Sequence, residues 1–188
     1  MDMAPNPAPM TREAFLDWAE RQELPYEFDG VGPVPMNGGS FVHFAIATRI
    51  AGVLNKALEG RLFEAVSAGF GVATSDNRVR FPDVVVIRSP CDLKARLAPY
   101  PLIVFELSSP TSVRIDRYVK AREYAGVPSI LRFVILEQDS IDATIMSRTD
   151  GSAPWDTILL SRGEVLPLPE IGLEIPLDAL YQGLDMPA

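Results

Sequence analysis

Two apolar stretches decide how this chain reads: Phe81-Pro82-Asp83-Val84-Val85-Val86-Ile87 and, after a loop, Pro101-Leu102-Ile103-Val104-Phe105-Glu106-Leu107. Both are short and the first is dense in β-branched residues, so both read as interior strands covered on both faces. Each carries one carboxylate, Asp83 near the start of the first and Glu106 at the end of the second. A buried ionised carboxylate costs on the order of several kcal/mol unless something pairs with it. Two held close together repel and raise one pKa. A divalent cation relieves both penalties, because hard ions such as Mg²⁺ or Mn²⁺ take oxygen ligands and commonly use one or two carboxylates. Asp83 and Glu106 are therefore candidate metal ligands. The plainer alternatives are a solvated strand-entrance residue for Asp83 and, for Glu106, a cap on the turn at Ser108-Ser109-Pro110.

Working outward, the periodicity predicts a third buried strand over 130–136 and two more over 143–148 and 157–161. Upstream, a long strand is expected over 62–74, a turn at Ser75-Asp76-Asn77 and a continuous strand over 79–87. Thr11 is placed to cap a helix reaching about 21, and residues 26–36, with Asp29-Gly30, Pro33 and Pro35, read as a hairpin. Val42, Ile46, Ile50, Val53, Leu54 and Leu58 recur at helical spacing over 40–58. Thr111 and Ser112 are plausible caps for a helix over about 113–124, and residues 177–181 suggest a final helical turn. This order fits an α/β fold, a mixed central β-sheet flanked by α-helices. No glycine-rich phosphate loop is present.

With 188 residues the chain is expected to form one domain over 11–184 after a disordered tail at 1–10. Its single cysteine, Cys91, has no His or second Cys nearby, which points to a reducing, cytoplasmic compartment. The Pro- and Ala-rich start resembles neither a signal peptide nor an anchor, and no membrane association is expected. The net charge of −8 weighs against a broad electrostatic grip on nucleic acid. Carboxylates gathered round a metal nevertheless count as negative until the cation binds.

Beyond Glu106, residues Asp116, Lys120 and Tyr124 follow at four-residue spacing and share a helix face. Asp116 and Lys120 read either as an exposed ion pair or, for Lys120, as an amine that orients water or steadies charge on phosphorus. His43, the one histidine, opens the long helix. It is a packed or capping residue or a further member of the site. Glu27 is a weaker carboxylate candidate. No nucleophile elbow supports serine chemistry, and few aromatics are placed to stack a sugar for a two-carboxylate glycosidase.

The ordered set Pro82-Asp83-Val84-Val85-Val86, Glu106-Leu107-Ser108-Ser109-Pro110-Thr111-Ser112, Asp116, Lys120, Tyr124 and Val127-Pro128-Ser129 resembles the Uma-type family of restriction-endonuclease-like proteins, within the PD-(D/E)XK nuclease superfamily. Tyr26-Glu27, Asp29-Gly30, Met36, Gly38-Gly39, His43, Leu173 and residues 177–181 extend the resemblance over nearly the whole chain. It implies a restriction-endonuclease-like fold, with Asp83 as the Asp of the Pro-Asp element and Glu106 as the acid of the next strand. The superfamily places a Lys two positions after that acid, where this chain has Ser108. The resemblance implies that Lys120 serves instead. Leu107-Ser108 after the acid and Val31-Gly32 after Asp29-Gly30 depart from the usual family pattern.

The resulting expectation is a Mg²⁺- or Mn²⁺-dependent endonuclease acting on DNA, with Asp83 and Glu106 on the metal, Lys120 assisting and His43 alongside. A homodimer is expected by analogy with restriction enzymes. The rival is a catalytically inactive nuclease-fold module that binds DNA or protein.

Overall fold

The hydroxyl of Thr11 caps helix α1 (Arg12–Ala19), accepting from the Ala14 amide at 3.2 Å. The helix sets Phe15 and Leu16 against a small sheet. That sheet begins with the hairpin β1 (Tyr26–Phe28) and β2 (Pro33–Pro35), whose turn is held by Asp29 Oδ1 accepting from the amides of Val31 and Gly32. Ser40 then caps helix α2 (Phe41–Leu58), accepting from the His43 amide. The computed structural model describes residues 10–36, 38–67, 69–74, 77–108 and 115–186, except the side chains of 115–117. The tail expected over 1–10 lies outside the described residues but for Met10, which packs against the α1 cluster.

The strand expected over 62–74 is two strands in different sheets: β3 (Phe63–Ser67) and β4 (Val72–Ala73). Gly69, at φ 90°, turns the chain between them. The strand expected over 79–87 is likewise divided, into β5 (Val79–Arg80) and β6 (Val84–Arg88). Pro82 has no N–H to give a ladder, and there the chain passes from the small sheet to the large one. Asp83 therefore stands at the crossing.

After β7 (Pro101–Ser108) comes a π-helical turn at Ile115–Lys120 and helix α3 (Ala121–Ala125), where one regular helix over 113–124 was expected. The proposed caps Thr111 and Ser112 lie outside the described residues. Next follow β8 (Arg132–Glu137), β9 (Asp142–Ser147) and β10 (Asp156–Ser161). A hairpin of β11 (Val165–Leu168) and β12 (Leu173–Pro176) was not anticipated, because the Pro-interrupted run 165–169 does not look like a strand. The final turn at Leu177–Tyr181 is 3-10 helical.

The large sheet runs β10-β9-β8-β7-β6-β3 and is antiparallel except where β7 and β8 pair in parallel. The small one runs β2-β1-β5-β4. Alternation along the strands divides the large sheet's two faces. Val84, Val86, Ile103, Phe105 and Leu107 meet Ile46, Ile50 and Leu54 of α2, whereas Val85, Ile87, Val104, Phe133 and Ile135 meet Ala121 and Tyr124 of α3. By length and composition α2 passes the test for a membrane span, but its apolar inner face packs on this sheet. The α/β class and the mixed, helix-flanked sheet are as the sequence indicated.

Candidate active site

The site forms where β6 and β7 part. Val84 of β6 pairs with Phe105 of β7, so Asp83 and Glu106 occupy the next position along the two strands. β6 starts at Val84, and in its place the side chain of Asp83 takes the next β7 amide: Oδ2 accepts from Leu107 N at 2.7 Å. The other oxygen, Oδ1, lies 2.7 Å from Nε2 of His43, which α2 delivers from its first turn. Two features orient that imidazole. Gln138 Nε2 stands 3.3 Å from Nδ1 while its Oε1 accepts from Ser40 Oγ. A Cβ on Gly39 would fall 2.7 Å from the ring's Cδ2, so only glycine leaves the ring its place.

Glu106 points to the α3 face and is 5% exposed. Its Oε2 accepts from the Lys120 ammonium at 2.8 Å and its Oε1 from the Tyr124 hydroxyl at 2.8 Å. Burial pushes the Glu106 carboxyl up to about 8; Lys120 pulls it down, and the charges of Asp83 and Glu27 push it further up. Burial likewise raises the Tyr124 phenol well above its ordinary value, with the charge of Glu106 adding to it. The hydrogen bond with Asp83 holds the His43 imidazole above its ordinary value against the opposing effect of burial.

Behind Lys120 lies a second layer of buried charge. Glu27 Oε1 is 3.5 Å from Lys120 Nζ, and its Oε2 accepts from Arg80 at 2.8 Å. Arg80 also donates to both oxygens of Glu123, at 2.6 and 2.8 Å. Burial alone would lower the Arg80 guanidinium, but the bonds and charges of Glu123 and Glu27 hold it above its ordinary value. One cation from β5 thus ties β1 to α3 and fixes the helix that carries Lys120 and Tyr124.

All four residues singled out from the sequence meet here: His43 with Asp83, and Lys120 with Glu106. Lys120 is not half of an exposed pair, since it is 8% exposed and its amine faces inward. The side chain of Asp116 lies outside the described residues. Tyr124 was seen only as a residue on the helix face, and Arg80, Glu123, Gln138 and Gly39 were not singled out as site residues. Their partners lie between 4 and 98 residues away, and most of these links leave no local pattern. Ser108, where the superfamily has its lysine, is fully buried, and its hydroxyl has no partner among the described residues.

The donor set suits a hard divalent cation. Two carboxylates offer oxygens, each with a lone pair beyond the bond it makes now, and no thiolate competes. Among the described residues no group of three or more His, Cys, Asp or Glu side chains makes a complete site. Water and substrate oxygens would complete the shell, as is common for Mg²⁺.

Known proteins resemble this chain in sequence and in fold. The model of the Uma2 family, described as "Putative restriction endonuclease", matches residues 12–178. The uncharacterized protein slr1290 of Synechocystis is 28% identical over 177 residues, which is 93% of each chain. A crystal structure from Anabaena variabilis, described as "a putative nuclease belonging to DUF820", superimposes with a TM-score of 0.70 over 92% of this chain and 98% of the other. At 16% identity that match speaks for the fold.

Proposed function

Because the chain belongs to the Uma2 family, we propose that it is a Mg²⁺- or Mn²⁺-dependent endonuclease that hydrolyses phosphodiester bonds of DNA. One observation carries the reading. A carboxylate buried in the centre of an apolar sheet, Glu106, is held next to a second, Asp83, and is met by a buried amine and a phenol. An arrangement this costly to bury is expected where charge is handled.

In this reading Asp83 and Glu106 hold the cation. When bound, it polarises the phosphoryl group and lowers the pKa of a water. The protein supplies the rest. His43 and the Leu107 amide fix the two oxygens of Asp83, and Tyr124 fixes one oxygen of Glu106. Lys120, between Glu106 and Glu27, supplies a positive charge to orient the attacking water or to stabilise the extra negative charge on the pentacoordinate phosphorus. Burial between the two carboxylates keeps that ammonium out of solvent.

The test is titration with Mn²⁺ followed by incubation with supercoiled plasmid. Wild-type protein should bind Mn²⁺ and nick the plasmid; Asp83→Ala and Glu106→Ala should lose binding, and Lys120→Ala should keep binding but lose nicking. Absence of Mn²⁺ binding in the wild type would sink the proposal.

A second reading, an inactive nuclease-fold module that binds DNA or protein, is favoured by one fact. All four oxygens of the two carboxylates already accept from, or lie against, a protein group. Absence of nicking, with or without Mn²⁺ binding, would select it.

A further inference from the structure

Two buried carboxylates share one ammonium, and they share it unequally. Lys120 Nζ lies 2.8 Å from Glu106 Oε2 and 3.5 Å from Glu27 Oε1. The three side chains come from β7, the π-helical turn and β1, and none is more than 11% exposed. Glu27 is fixed from its other side, where Arg80 donates to Oε2 at 2.8 Å. The remaining donors of Arg80 that contact a carboxylate are engaged by both oxygens of Glu123. Glu27 Oε1, the oxygen turned toward Lys120, accepts a long bond from the Phe81 amide at 3.4 Å. Such bonds are ordinarily about 2.7–3.2 Å long, so this oxygen has room for a closer donor.

That imbalance matters at the carboxylate site. Lys120 occupies one oxygen of Glu106 and Tyr124 the other. An ammonium in contact with Glu106 repels a divalent cation that takes the same group, and repulsion at such range is strong away from water. Leaving the ammonium buried without an anion is costly in its turn. Glu27 removes the conflict. The movement that brings Lys120 into close contact with it is the difference between 3.5 and 2.8 Å.

We propose that Glu27 is a positioning residue that receives the Lys120 ammonium when a divalent cation takes Glu106, so that both positive charges are held in one pocket. The inference rests on the reading that Asp83 and Glu106 bind the cation. It also gives the present contacts of Glu106 a role: Lys120 holds the empty carboxylate in place and has a second anion to go to.

The test is a double-mutant cycle read by calorimetric titration with Mn²⁺ at one fixed pH. Glu27→Gln should weaken Mn²⁺ binding at least about tenfold while Lys120 is present, because the ammonium is then left between a cation and a neutral amide. In the Lys120→Ala background the same substitution should change the affinity by no more than about twofold. Glu27→Gln also loosens Arg80, an effect common to both backgrounds that cancels in the cycle. Asp116 stands four residues before Lys120, with its side chain outside the described residues, so Asp116→Asn is the control. A crystal of the wild type grown with Mn²⁺ needs no variant and should show Lys120 Nζ nearer to Glu27 than to Glu106.

An equal loss in both backgrounds overturns the proposal, since Glu27 would then act on the cation by its own charge. No loss at all, a coupling carried by Asp116→Asn instead, or an ammonium still on Glu106 beside bound Mn²⁺ overturns it too. Wild-type protein that binds no Mn²⁺ removes this proposal together with the nuclease reading. Mn²⁺ binding and nicking without the coupling remove this proposal alone, and the coupling without nicking supports it while refuting hydrolysis.

Discussion

Gly39 and His43 show how far a single residue governs the site. The chain has one histidine, so its imidazole gives one resolvable proton NMR titration. In metal-free protein the measured pKa should lie above 6.5, and it should fall in Asp83→Asn, which removes the hydrogen bond that raises it. Since the folded value is the higher one, the His43–Asp83 pair contributes stability that is complete below 6.5 and disappears as pH rises through the folded pKa. The advantage of wild type over His43→Gln in urea unfolding should follow that course; the opposite slope would refute the pairing. Gly39→Ala should lower the same pKa without touching either partner, because its methyl group needs the space of the ring. Deeper in, Arg80→Ala removes the nearest cation of both Glu27 and Glu123, leaving them, among the described residues, Lys120 and Arg78 at 3.5 Å, and urea unfolding should show a loss of about 3 kcal/mol. Asp83, Glu106 and Lys120 were legible in the sequence because a charge in or beside an apolar run is conspicuous. Arg80 also stands next to such a run. Its importance was hidden because Glu27 and Glu123 lie 53 and 43 residues away.

At the scale of elements, strands and helices were legible where periodicity ran uninterrupted, as in α2, β7 and β8. They were misread where the backbone changes partner. The run 79–87 is mostly apolar, broken only by Arg80 and Asp83, yet it serves two sheets, and only the pairing of Val79 with Phe28 and of Val84 with Phe105 reveals the division. Edge strand β3 shows a related device. Asn55 of α2 donates to Ala65 O at 2.9 Å and accepts from Ala65 N at 3.0 Å, so a side-chain amide takes the place of a neighbouring strand. Asn55→Ala should leave both backbone groups unpaired beside the 7%-exposed Ala65. A loss of about 1–3 kcal/mol is expected in chemical denaturation. Faster hydrogen exchange at the Ala65 amide, with β7 and β8 unaffected, would place the damage at that edge.

Across the whole molecule, the α2 face of the large sheet is closed by the last stretch of chain. Leu177 and Leu180 are fully buried, and the Tyr181 hydroxyl donates to Glu137 O at 2.8 Å. Leu180→Ala should therefore behave as a core truncation, costing about 2–5 kcal/mol in thermal or urea unfolding. A loss near zero would show that this segment only rests on the surface. The mixed sheet and its helices followed from the sequence, but this closure did not, since the short, Pro-interrupted strands β11 and β12 give no clear alternation. The parallel pairing of β7 with β8 carries a kinetic consequence. β3, β6 and β7 form one antiparallel unit and β8, β9 and β10 another. They join only after the intervening chain has travelled the length of a strand and returned, at the entropic cost of closing that loop. In pulse-labelled refolding, amides within each unit should gain protection before those shared by β7 and β8. The Glu106–Lys120–Tyr124 constellation would then be assembled late, and nascent chains would reach maturity before they could engage a metal ion.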